Sequence, residues 1–203
     1  MTMLSTSLIL ASGSSARRML LENSGLSVIC RPVDLDEESL RLQCQDQGRS
    51  LAETAIALAD AKADLASRVA GPGKLIVAAD QILDLEGEAF AKPRSFQEAR
   101  RHLLRLRNRT HTLQSAVVLY RGKEKLWAHV ASPVLTMRNF SDGFLDAYLA
   151  REGEEILSCV GAYRLEGLGI QLFSEIHGTH DAILGLPVLP LLDVLRKIKV
   201  LES

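Results

Sequence analysis

Residues 8–18, Leu8-Ile9-Leu10-Ala11-Ser12-Gly13-Ser14-Ser15-Ala16-Arg17-Arg18, pass from an apolar run through a turn of small polar residues to two arginines. A short apolar run that stops at a turn signal reads as a buried strand. From Ala16 the pattern changes. Met19, Leu20 and Leu21 precede Asn23 and Gly25, which reads as a helix with a polar first turn and a glycine stop. A small-residue turn between strand and helix leaves backbone N–H groups pointing outward. Together with the positive end of the helix dipole, they favour an anion such as phosphate. Arg17 and Arg18 stand where the dipole disfavours a cation, so an anionic ligand opposite them would account for their presence. The plainer alternative is two surface arginines behind an N-capping serine. The spacing is not that of a Walker A loop.

Working outward, Leu26 to Cys30 reads as a second strand, and Asp34 to Gln47 as loop with a short helix. Leu51, Ala55, Leu58, Ala61, Leu65 and Val69 recur at helical spacing, so a helix is expected over Leu51–Val69, ended by Gly71-Pro72-Gly73. A strand follows over Lys74–Ala79 with Asp80 at its carboxyl end. A hairpin is expected through Ile82–Leu85, Glu86-Gly87 and Ala89–Ala91. Ser95 and Glu98 form a capping box for a helix reaching Leu106. Thr112–Tyr120 and Glu124–Met137 read as two long strands, with Pro133 marking an edge or bulge. A serine-capped helix is expected over Ser141–Arg151, a strand over Leu168–Ile176, and a helix over Pro187–Lys197 with proline at its start. This order of elements predicts an α/β protein, a mixed sheet with flanking helices.

The 203 residues fit one domain over 1–203, with room for two lobes. Net charge is −1, with no clustered basic excess beyond Arg100, Arg101, Arg105, Arg107 and Arg109, which read as the solvated face of a helix. A nucleic-acid polymer is therefore not an expected partner. Cys30, Cys44 and Cys159 are odd in number and far apart, which suits a reducing compartment and no disulfide framework. Ser5-Thr6-Ser7 leads into an apolar run too short for a signal peptide or membrane span, so the expectation is a cytoplasmic protein. On that expectation the glycosylation sequons at Asn108 and Asn139 are chance matches.

Other segments carry more polar chemistry than a core needs. Asp80, beyond a strand's carboxyl end, is a candidate metal ligand or general base, since ligands bind there in open α/β sheets. Lys92 precedes Pro93, whose fixed backbone can aim a charge into a cleft. Gly161, Gly167 and Gly169 let a backbone approach a ligand closely. His177, His180 and Asp181 do not share a helical face, which speaks against zinc.

Taken in this order, the segments resemble the Maf family of nucleoside triphosphate pyrophosphatases. Leu8 to Ser14 with Arg17-Arg18 and Leu20-Leu21 looks like that family's opening motif. Lys62 falls where the family places a lysine in its long helix. Ala79-Asp80-Gln81, Lys92-Pro93, Arg109-Thr110-His111, Gly161-Ala162-Tyr163, Glu166-Gly167-Leu168-Gly169 and Gly185-Leu186-Pro187 continue the match over nearly the whole chain. The resemblance implies a Maf/inosine-triphosphatase-like fold, a mixed twisted sheet with two lobes around a central cleft. The chain departs from the family pattern at Ser14-Ser15, where the family usually has Ser-Pro, and at Ala91, where it usually has Gly. Asp80-Gln81 and Glu166-Gly167 look like the branch that prefers 7-methyl-GTP, although that branch's usual tryptophan is replaced by Ala16.

The implied reaction is hydrolysis of a nucleoside triphosphate to the monophosphate and pyrophosphate, assisted by Mg2+ or Mn2+. The resemblance gives Asp80 the part of general base or metal ligand, and Glu37 that of a second acidic group for the metal. Ser12, Arg17, Arg18, Lys62 and Lys92 would hold phosphate, and Gln81 and Glu166 would contact substrate, Glu166 near the base. A cleansing role in nucleotide metabolism and a homodimer are consistent with the resemblance. The alternatives are a pyrimidine dTTP/UTP pyrophosphatase and a nucleotide-binding regulator of cell division that inhibits septum formation.

Overall fold

The computed structural model describes residues 7–202; Ser5 and Thr6 lie outside the described residues. In chain order the elements are β1 (Leu8–Leu10), α1 (Ser15–Asn23), β2 (Val28–Cys30), α2 (Glu37–Asp46), α3 (Leu51–Ala70), β3 (Leu75–Leu85), β4 (Glu88–Phe90), α4 (Phe96–Leu106), β5 (Thr110–Arg121), β6 (Glu124–Ala131), β7 (Val134–Met137), α5 (Asp142–Glu152), β8 (Phe173–His177), α6 (His180–Ile183) and α7 (Val188–Lys197). Three 3-10 turns occupy Gly153–Ser158, Val160–Ala162 and Leu168–Leu172. The strands form a mixed sheet of order β2-β1-β3-β5-β7-β8, with β4 on β3 and β6 on β5.

The chain divides into two compact units, and β3 and β5 contribute a part to each. The first comprises the described residues up to Asp80, then Ser115–Ala131 and Thr179 onward. Here β1 pairs in parallel with β2 (Leu8↔Val28) and with β3 (Ile9↔Ile76). Because β1 is covered on both sides, all three of its residues are buried and apolar. Its core joins Leu8, Leu10, Leu21, Val77, Val117, Leu119, Leu191 and Leu195. Each such side chain contributes about 1.5–3 kcal/mol by leaving water. Helix α3 buries Ala55, Ala59, Ala63 and Ala66 along one face, small residues that allow its backbone to pack closely. It starts at a complete capping box. Ser50 accepts from the Glu53 N–H, and the Glu53 carboxylate accepts from the Ser50 N–H.

The second unit comprises Gln81–Gln114 and Ser132–Gly178. Its β3–β4 hairpin pairs Leu83 with Phe90. The turn places Glu86 and Gly87 at φ 57° and 88°, the left-handed pair that a two-residue hairpin favours. β7 pairs antiparallel with the first part of β5 and with β8.

Several expectations are corrected. Asp80 does not end a strand; β3 runs on to Leu85 because Ile82, Leu83 and Leu85 are buried and the Asp80 carboxylate has a cation partner. The short helix expected within 34–47 is there, over residues 37–46, since Asp36 caps the Ser39 N–H and Glu37 and Glu38 complement the helix dipole. The strand expected over Glu124–Met137 is two strands, parted at Ser132-Pro133. The stretch expected as a strand from Leu168 is a 3-10 turn as far as Leu172. At α4, Ser95 caps the Glu98 N–H, but the Glu98 carboxylate accepts from Arg94 rather than closing the box. Among the described residues no helix is long and apolar enough to cross a membrane. All three cysteines are free.

Candidate active site

In the first unit, the turn after β1 is built as its sequence suggests. Ser14 caps α1 by accepting from the Arg17 N–H, and Ser12 Oγ accepts from the Ser14 N–H at 3.2 Å. Arg17 turns inward. Its Nε donates to the Gly185 carbonyl at 2.9 Å, and its Nη1 to the Ala79 carbonyl at 2.8 Å and Ser12 Oγ at 3.3 Å. These oxygens offset the unfavourable helix dipole and hold the guanidinium beside β3. Burial lowers the Arg17 pKa, and the negative charges of Asp80 and Glu37 oppose that shift. An arginine so placed keeps its charge.

Asp80 and Lys62 are both buried, at 6% and 8% exposure, where an unpaired charge would be costly. Lys62 Nζ on α3 lies 2.6 Å from Asp80 Oδ1 and 2.8 Å from Glu37 Oε1 at the start of α2. Three helices and a strand thus bring Arg17, Lys62, Glu37 and Asp80 into one neighbourhood of opposed charges. Arg18, one residue on, lies on the exposed side of α1 and pairs with Glu22 at 2.8 Å, outside this group.

Gln81, Lys92 and Glu166 belong to the second unit. Gln81 is half-buried on β3; Lys92 is exposed beside buried Pro93. Glu166 Oε1 lies 3.5 Å from Arg164 Nε. The Cys159 thiol is pushed up by burial, opposed by a hydrogen bond with Ser158, with smaller influences from Glu166, Arg164 and Lys92. His111 Nε2 and Tyr163 Oη share a buried hydrogen bond of 2.8 Å, which ties the two family motifs that carry them.

The glycines of residues 161–169 have a purely internal explanation. A Cβ on Gly161 would meet Leu83 and the Tyr163 ring at 2.6 Å; on Gly167 it would meet Glu152 Oε1 at 2.6 Å; on Gly169, the Arg164 carbonyl at 2.2 Å. The close approach is by the protein's own atoms. Asp181 accepts from the Val188 N–H at 2.6 Å and so caps α7. Among the described residues no three His, Cys, Asp or Glu side chains are grouped to hold a metal. The sequence gives no role to Glu152, which stands outside every motif, or to Arg164, which lies inside the 161–169 stretch that its glycines single out.

Fold and charge arrangement define a mixed α/β protein with an ion cluster of two carboxylates, a lysine and an arginine. The sequence model of the family described as Maf-like protein matches residues 7–198, and the chain belongs to the Maf family. It is 70% identical, over 98% of each chain, to a nucleoside triphosphate pyrophosphatase of Gluconobacter oxydans (strain 621H). A nucleoside triphosphate pyrophosphatase of Granulibacter bethesdensis is 48% identical over 94% of this chain and 96% of its own. A 7-methyl-GTP pyrophosphatase of Rhizobium meliloti (strain 1021) is 45% identical over 97% of this chain and 98% of its own.

Proposed function

We propose that the protein hydrolyses a nucleoside triphosphate to the monophosphate and pyrophosphate, with 7-methyl-GTP as the preferred substrate. The observation that carries the reading is the Lys62–Asp80 pair with Glu37 against it, beside an inward-turned Arg17. Binding phosphate calls for cations, and the carboxylate held among them is assigned the part of general base. Asp80 takes a proton from water as its oxygen attacks the α-phosphorus, and the bond to the bridging oxygen breaks with pyrophosphate as leaving group. Ser12, Arg17, Lys62 and Lys92 are assigned to the phosphates, the guanidinium of Arg17 being suited to paired hydrogen bonds. Arg18, which pairs with Glu22 on the exposed side of α1, is left out of that assignment.

Two carboxylates converging on one ammonium form an oxygen donor set that suits a hard divalent ion, which typically takes one or two carboxylates and completes its shell with phosphate and water. Glu37 and Asp80 would hold it. A bound Mg2+ or Mn2+ supplies neutralisation of the phosphate charge.

The preference for 7-methyl-GTP is supported by the name of the Rhizobium relative and by the charge of Glu166. A methylated guanine is cationic, and a carboxylate attracts it where a glutamine would not. Gln81 is assigned to the substrate alongside it. A cytoplasmic place of work accords with free cysteines and a nucleotide substrate. The test is turnover of 7-methyl-GTP, GTP, dTTP, UTP and CTP with product identification. Highest kcat/KM for 7-methyl-GTP with pyrophosphate released is expected. Preference for dTTP or UTP would replace the base assignment, and absence of turnover with every triphosphate would leave a nucleotide-binding regulator.

A further inference from the structure

Arg164 carries one positive charge and faces three carboxylates. Its Nη1 lies 3.5 Å from Glu152 Oε2 and is also paired with Glu155, while its Nε lies 3.5 Å from Glu166 Oε1. Burial works against the charge on Arg164, yet Glu155, Glu166 and Glu152 together raise its pKa. Three negative charges against one leave Glu166 only partly neutralised.

The carboxylates differ in setting. The side chain of Glu152 is 7% exposed, against 68% for Glu155 and 32% for Glu166. A buried carboxylate must be satisfied, and Glu152 is satisfied at both oxygens. Oε2 faces Arg164, and Oε1 accepts from the Leu168 N–H at 2.7 Å. Gly167 sits against it, and an added Cβ would lie 2.6 Å from Oε1. The backbone there is unstrained, at φ −122°, so its torsion does not call for glycine. The demand comes from the Glu152 carboxylate. One side chain at the end of α5 therefore grips residues 164 and 168, with Glu166 between them.

We infer that Glu152 is a positioning residue that fixes the 164–168 turn and so sets where the Glu166 carboxylate stands to read the base. This rests on the assignment of Glu166 to the base made above. Glu152 touches no substrate in this account; it acts through the Leu168 N–H and Arg164.

The experiment is the ratio of kcat/KM for 7-methyl-GTP to that for GTP, measured on one preparation of each full-length variant. A ratio cancels the fraction of folded enzyme, so a merely structural role would not move it. Glu152→Ala removes both grips, and Gly167→Ala pushes the carboxylate off the Leu168 N–H. Each is expected to lower the ratio roughly tenfold, the size of one lost charge-assisted hydrogen bond. In Glu152→Gln the amide oxygen can still accept from Leu168, and most of the preference is expected to remain. Unchanged ratios in Glu152→Ala and Gly167→Ala, beside a discriminating wild type, overturn the inference. Equal loss in Glu152→Gln and Glu152→Ala also overturns it, since charge rather than position would then matter. Glu166→Gln in the same assay reads the underlying assignment separately. A wild type without preference, or a Glu166→Gln enzyme that keeps it, removes that assignment and this inference with it.

Discussion

Lys62 Nζ lies 2.6 Å from Asp80 Oδ1 in the interior of the first unit, each side chain about one-tenth exposed. Breaking such a pair by removing one member typically costs about 3–5 kcal/mol, because the remaining charge stays buried. Lys62→Met is therefore expected to lower the free energy of unfolding by that order, and Lys62→Met with Asp80→Leu by clearly less. Urea titration of both variants checks this. A double variant as unstable as the single one would mean that Lys62 contributes packing rather than charge.

Asp80→Asn should keep its fold, because Lys62 retains Glu37 as counter-ion at 2.8 Å. Turnover should fall on the order of 10²–10⁴-fold, the usual loss for a positioned acid–base group. Nucleotide binding by calorimetry should stay near the wild-type value. Unchanged turnover would remove Asp80 from its assigned role.

Arg17→Lys tests geometry at constant charge. The guanidinium reaches the carbonyls of Gly185 and Ala79 together with Ser12 Oγ, and a single ammonium cannot span all three. A stability loss of about 1–3 kcal/mol is expected, with a raised KM. Wild-type values of both would mean that the anchoring is idle.

His111 should make the protein sensitive to mild acid. Burial pushes its pKa down from 6.5 to about 4, and Nδ1 has no hydrogen-bond partner in the folded chain. Between those values the unfolded chain binds the proton and the folded chain does not, so stability rises with pH across the window. Its contribution is complete above pH about 6.5 and is lost progressively down to about 4, by up to about 3 kcal/mol. Chemical denaturation at several pH values, with His111→Gln for comparison, measures it. An imidazole NMR signal titrating near 6.5 would contradict it.

The sequence disclosed most where a physical signal is local. The apolar run at Leu8, the serine at 14 and the alternating hairpin around Glu86-Gly87 each carry their structure within a few residues. It misled where satisfaction comes from afar. Asp80 looked like the end of a strand because its partner, Lys62, lies 18 positions earlier on another element. The bounds of the short helix at 37–46 are not legible from periodicity, because it buries only Cys44 and is set by its cap and first-turn charges. For the site, the sequence points to Ser12, Arg17, Glu37, Lys62 and Asp80, while nothing in it carries the distances among them. Glu152 stayed hidden because a glutamate at the end of a helix has no signature until the Leu168 N–H and Gly167 are seen against it.

The central claim is that water attacks the α-phosphorus. Hydrolysis of 7-methyl-GTP in water enriched in oxygen-18, followed by mass spectrometry of both products, tests it directly. The label is expected in the nucleoside monophosphate and absent from pyrophosphate. Label in pyrophosphate, or release of orthophosphate in place of pyrophosphate, would contradict the account.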